Sequence, residues 1–130
     1  YFVGPQYEIK KYESFRASSA FILPSYSEGM SIVALEAMSF SLPVLMTPEC
    51  NMDYAFDCNA AIRIEPNEFK ITQKLVSIFS MKEAELKFIG NNGKSFVEKY
   101  HNWSRLSEDM MQTYRWILNK GDKPKCVVLD

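Results

Sequence analysis

The sequence is poor in the residues that metal and disulfide chemistry require. It holds one histidine, His101, and three cysteines, Cys50, Cys58 and Cys126. A lone histidine with no carboxylate or thiol cluster beside it argues against a protein-ligated metal. An odd number of thiols without metal-type spacing reads as reduced cysteines of the cytoplasm, with peripheral contact to a membrane left open. Long apolar runs are missing too: none approaches the ~20 residues that span a bilayer. Neither sign of charge dominates, since 15 Lys and Arg stand against 16 Asp and Glu, a net charge of -1. That balance removes the electrostatic case for a nucleic-acid partner. A flavodoxin-like phosphoacceptor or nucleotide domain needs an acidic cluster or a glycine-rich loop at its first strand, and neither is present. There is no internal repeat or low-complexity segment. What is present is a globular composition, 47% hydrophobic and 24% charged over 130 residues. It suits one modest domain with a packed core.

The most informative stretch runs from Leu23 to Met38. Ala20 to Leu23 reads as a buried strand, and Pro24, which has no N–H to donate, stops its ladder. Small and polar residues follow, with Gly29 free to turn or to let a ligand lie close. From Ser31 to Phe40 the residues are helix formers, with Ile32, Leu35 and Met38 at helical spacing. The first N–H groups of such a helix are unpaired, and its dipole adds partial positive charge there, so the end attracts phosphate. It also lies at the carboxyl end of a strand, where open α/β sheets bind ligands. Glu36, about a turn and a half into the helix, is acceptor-only when ionised and suits a pair of sugar hydroxyls. Glu28, in the loop, would lie beyond the phosphates. The spacing suits a hydroxyl-rich molecule with a phosphate bridge in its middle. On residue chemistry alone, a solvated Glu and an ordinary loop glycine remain the alternative.

The remaining elements alternate. Tyr1-Phe2-Val3 reads as an apolar strand already under way at the chain start, so the sequence reads as a fragment. Gly4-Pro5 makes a turn, and residues 6–19 form a helix. Val44-Leu45-Met46 is the next buried strand, with Pro43 tolerated at its start. Residues 47–59 form a loop on the ligand side, with one helical turn near Asp53–Phe56. Ala60–Ile64 is a short strand near an edge. Asn67 caps a helix whose Phe69, Leu75, Val76 and Phe79 face the sheet. Residues 82–100 continue as helix, with Gly90 and Gly93 marking a close contact. Ser104 caps a last helix to about Lys120, burying Trp103, Leu106, Met110, Tyr114 and Ile117. Gly121 ends it. Strands alternating with helices predict an α/β fold with a parallel sheet. We place the domain at residues 1–120 and a tail at 121–130, with only Val127–Leu129 apolar in the tail.

Pro24-Ser25, Glu28-Gly29, Ile32, Glu36-Ala37-Met38 and Pro43-Val44 together resemble the E-x7-E motif of the retaining glycosyltransferases of GT-B fold, family 4. Phe2-Val3-Gly4 and Tyr100-His101-Asn102-Trp103-Ser104 are similar to flanking family segments, so the likeness covers nearly the whole chain. The resemblance implies an incomplete Rossmann-like parallel sheet with covering helices, the C-terminal half of a GT-B enzyme. It implies sugar transfer from a nucleotide-sugar donor to a glycan, lipid or small-molecule acceptor with retention, and no cofactor or metal. The acceptor would dock on an N-terminal domain absent from this sequence. A non-catalytic nucleotide-sugar-binding or regulatory module of the same fold is the alternative, and residues 1–130 alone would be marginally stable and inactive.

Carried over by residue, Glu36 would bind the ribose hydroxyls. Backbone N–H groups of Gly29, Met30, Ser31 and Ile32 would line the phosphates. Glu28 would be the catalytic carboxylate, positioning the donor sugar and stabilising charge near the reacting carbon. A glycosidase would need both carboxylates flanking one bond. Ser41 stands where the family usually has glycine, and Cys58-Asn59 where it often has another; Asn tolerates left-handed backbone better than most residues. The family's phosphate-neutralising basic residues lie upstream of these motifs. Lys10, Lys11 and Arg16 read as a solvated helix face.

Overall fold

The computed structural model describes residues 1–128. Its sheet has three parallel strands, β1 (Phe21–Leu23), β2 (Val44–Met46) and β3 (Ile62–Arg63), in spatial order β1-β2-β3. The register pairs Leu23 with Met46, and Leu45 with Ile62. Parallel strands need crossovers, and the chain supplies α2 (Ile32–Ser39) between β1 and β2, and α3 (Asp53–Asp57) between β2 and β3. α1 (Glu8–Ala17) precedes the sheet; α4 (Glu68–Phe79), α5 (Glu83–Tyr100) and α6 (Trp103–Ile117) follow it. The alternating order and the parallel pairing are those expected.

β2 is the centre because it is apolar on both faces. Val44, Leu45 and Met46 are all fully buried, each such side chain worth about 1.5–3 kcal/mol of transfer free energy. On one face Leu45 meets Ile64 and Ile78, with Ile71 and Leu75 packed against them. That corrects the expected face of α4: Phe69, Val76 and Phe79 are exposed. Periodicity allows either of two neighbouring stripes here, and the shape of the sheet selects the Ile71–Leu75–Ile78 one. Asn67 caps α4 as expected, its Oδ1 accepting from the Lys70 N–H at 3.1 Å.

α5 lies close to the turn after α2. A Cβ built on Gly90 would sit 1.9 Å from the Ser41 carbonyl oxygen, and one on Gly93 would sit 3.2 Å from that of Ala60. The two glycines therefore serve helix packing. Ser41 itself has φ +57, a left-handed conformation that the family's usual glycine adopts at less cost, and Asn59 has φ +52.

Three further expectations are corrected. Tyr1–Val3 is not a strand: it is exposed and pairs with no strand among the described residues, the Val3 carbonyl accepting only from Gln6 Nε2 at 3.0 Å. β-propensity forms a strand only where a ladder partner is present, and β1 bonds β2 alone. The chain divides into compact units at residues 1–97 and 98–130. Within the second unit, Trp103, Leu106, Met110, Tyr114 and Ile117 form a stripe along α6 that is exposed rather than buried. Its N-cap is Asn102, whose Oδ1 accepts from the Ser104 N–H at 2.9 Å. In the tail, Pro124 is buried, and Leu129 lies outside the described residues.

Candidate functional site

Because β1 and β2 run parallel and in register, the loops after Leu23 and Met46 leave the same end of the sheet. They are tied together there. Thr47, fully buried, donates from Oγ1 to the Ser25 carbonyl at 2.6 Å. The Glu28 N–H donates to the Glu49 carbonyl at 3.0 Å. Asn51 donates from Nδ2 to the carbonyls of Glu28 at 2.6 Å and Gly29 at 2.9 Å. Asn51 ends a short 3-10 helix, Pro48–Cys50, in the left-handed region at φ +55, a conformation asparagine tolerates. Residues 47–51 thus sit at the carboxyl end of the strands, and they brace the Glu28 loop.

Within that loop the Ser25 hydroxyl donates to Glu28 Oε1 at 3.0 Å, which orients the half-buried carboxylate. Gly29 lies next. Its φ is not left-handed, and a Cβ there would meet nothing within 4 Å. No demand of the fold requires glycine at this position, and the open space beside it is compatible with close approach by a ligand.

Ser31 is the N-cap residue of α2, yet its side chain caps nothing. Its Oγ is buried and has no hydrogen-bond partner among the described residues, at a relative exposure of 2%. A buried hydroxyl left unmade costs about 1–3 kcal/mol, so a partner supplied from outside would recover that cost. The first intrahelical bond runs from the Leu35 N–H to the Ser31 carbonyl at 3.3 Å. The N–H groups before Leu35 therefore have no intrahelical acceptor. Met30 and Ile32 flank this end and are exposed.

Glu36 projects from α2 and is met from α1. Lys11 Nζ donates to Glu36 Oε1 at 2.6 Å, and both side chains are 30% exposed. The carboxylate bond raises the Lys11 pKa above its ordinary value. Aromatic packing delivers α1 to this place. Tyr12 stacks on Phe40 at 5.8 Å, and Phe15 contacts Phe40 at 5.5 Å and Phe21 at 6.0 Å. Lys11 therefore pairs with Glu36 across the two helices, where the charge pattern of α1 alone predicts a solvated face. No local pattern marks it, because its partner lies 25 residues away. Asn51 was also missed; its one signal is an asparagine in a loop that follows a buried strand.

The geometry collects an anion-seeking helix end, a braced carboxylate before it and a second carboxylate one and a half turns along. Residues 1–96 match the model of a protein family described as glycosyl transferases group 1. The chain belongs to that family. It is 31% identical over 104 residues to an uncharacterised glycosyltransferase of Methanocaldococcus jannaschii, covering 76% of this chain and 28% of that protein. It is 25% identical over 109 residues to the capsular polysaccharide biosynthesis glycosyltransferase CapM of Staphylococcus aureus, covering 80% and 28%. Among solved structures, the sucrose-phosphate synthase of Thermosynechococcus elongatus, a GT-B protein, superposes with a TM-score of 0.73 at 23% identity, covering 82% of this chain and 27% of that one. The chain thus spans little more than a quarter of the length of these relatives. No described helix is long and apolar enough to cross a membrane.

Proposed function

We propose that residues 1–120 belong to the nucleotide-sugar-binding domain of a retaining glycosyltransferase, with 121–130 a tail. The observation that carries this reading is the orphaned Ser31 hydroxyl at the start of α2, between Glu28 and Glu36. A phosphate oxygen there would accept from Ser31 Oγ and from the free first-turn N–H groups, aided by the helix dipole. Gly29 lets the phosphates approach the backbone. With the phosphates so placed, Glu36 accepts from the ribose hydroxyls. Glu28 reaches the donor sugar, where its carboxylate orients the ring and stabilises positive charge developing at the anomeric carbon. No role for a protein-bound metal is assigned.

The test uses the full-length protein that contains this chain. Binding of UDP-, GDP- and ADP-sugars is measured by calorimetry, with Ser31→Ala as the variant. Removing the hydroxyl should weaken donor binding several-fold, as loss of one hydrogen bond to a charged group does, without lowering thermal stability. Proton NMR of the first product formed should show the donor's anomeric configuration kept. Donor affinity unmoved in Ser31→Ala, or an inverted product, would remove the phosphate assignment or the retaining assignment respectively.

A further inference from the structure

Glu36 accepts from Lys11 through Oε1, and among the described residues its other oxygen has no hydrogen-bond donor, so it remains for a second partner. A carboxylate has about four lone-pair positions, so one charged donor at one oxygen leaves room for a pair of hydroxyls at the other. What the donor removes is rotation: a lone glutamate on a helix samples several rotamers, and this one is pinned from a neighbouring helix.

Resting on the ribose reading of Glu36, we infer that Lys11 is a positioning residue for nucleotide recognition, holding the Glu36 carboxylate in the orientation that receives a vicinal diol. Two observations favour this over a simple staple between α1 and α2. The helices are already joined by the Tyr12–Phe40 and Phe15–Phe40 ring contacts. The pair is part-buried, and a single partly exposed ion pair adds only modestly to stability. The bond is nevertheless short, 2.6 Å, and falls on the one carboxylate of α2. A residue fixed in advance loses less freedom when its ligand arrives, which is how such a bond raises affinity.

The experiment uses the full-length protein. UDP, GDP and ADP are titrated into the wild type, and the tightest binder is compared with its 2′,3′-dideoxy counterpart in wild type, Lys11→Met and Lys11→Arg. Lys11→Met should lower affinity for the ribonucleotide about fivefold, the scale of one partly exposed ion pair, and change the dideoxy affinity much less. Lys11→Arg, which keeps a charged donor, should recover most of the loss. In a Glu36→Gln background, Lys11→Met should add nearly nothing, since the two side chains act as one unit. Equal losses for both nucleotides would make Lys11 a structural residue and overturn the inference, as would no loss for either. The dideoxy affinity also reports that each variant is folded. A wild type that binds both nucleotides equally overturns the diol assignment and Lys11's role with it. Failure of all three nucleotides to bind the wild type would instead overturn the proposed function.

Discussion

Asn51 holds the Glu28 loop by its backbone: Nδ2 donates to the Glu28 carbonyl at 2.6 Å and to that of Gly29 at 2.9 Å. The clasp fixes the main chain immediately after the side chain of the carboxylate that we assign to the donor sugar. Asn51→Gly keeps the left-handed backbone but removes the amide. Each lost bond is worth about 0.5–1.5 kcal/mol, and the main cost should be to geometry. Turnover should fall at least tenfold, about 1.4 kcal/mol of barrier, with nucleotide affinity nearly unchanged. Steady-state kinetics and calorimetry on the full-length protein check this; unaltered turnover would show that the clasp does not position Glu28.

The two glutamates should separate by ligand. Glu36→Gln removes a charged acceptor worth about 1.5–3 kcal/mol, and should weaken bare nucleotide and nucleotide-sugar together. Glu28→Gln should lower turnover while sparing bare-nucleotide affinity. If both substitutions weakened the bare nucleotide equally, the division of labour would fail.

Gly29→Ala separates fold from ligand directly. The added Cβ meets nothing within 4 Å and the backbone is not left-handed. Thermal stability should hold, or rise by about 0.4–1 kcal/mol through the unfolded chain. Donor binding should weaken, because the methyl stands where phosphate approaches. Full donor affinity in a stable Gly29→Ala protein would remove the close-approach role.

Ser41 and Gly90 make a matched pair for stability. Ser41→Gly relieves a non-glycine residue at φ +57, and should stabilise by roughly 1 kcal/mol. Gly90→Ala pushes a Cβ to 1.9 Å from the Ser41 carbonyl oxygen, so backbone must move, at a cost of about 1–3 kcal/mol or more. Urea unfolding reads both. A neutral Gly90→Ala would mean that α5 can shift away from the turn without penalty.

The cysteines should differ in reactivity. Cys50 is buried, and burial pushes its thiol pKa up, whereas Cys126 is exposed and Cys58 lies between. Thiolate fraction and access both govern alkylation. At neutral pH, timed iodoacetamide labelling with mass spectrometry should modify Cys126 first and Cys50 only on unfolding. Early labelling of Cys50 would contradict its burial.

Much of the architecture was legible because it is local. Pro24, the continuous apolar run Val44–Met46, the Asn67 cap and the helical spacing after Ser31 each act over a few residues, and each marks the element found there. The strand-helix alternation then implied the parallel sheet, since parallel neighbours need crossovers. The E-x7-E pattern located the loop and helix end for the same reason: both carboxylates and the helix start lie within one short stretch.

The sequence by itself therefore determined most of the elements, their order and the position of the two carboxylates, but not the state of Tyr1–Val3 or the short 3-10 helix Pro48–Cys50. Tertiary structure decided which apolar stripe of α4 is buried, that Tyr1–Val3 stays unpaired, and that the α6 stripe is exposed within its own unit. It alone brought Lys11 to Glu36, 25 residues apart, and Asn51 to Glu28, 23 residues apart. Periodicity states that a face is apolar, not what will cover it. A hydrogen bond between distant segments depends on how the elements between them pack, and no spacing rule in the chain encodes that distance.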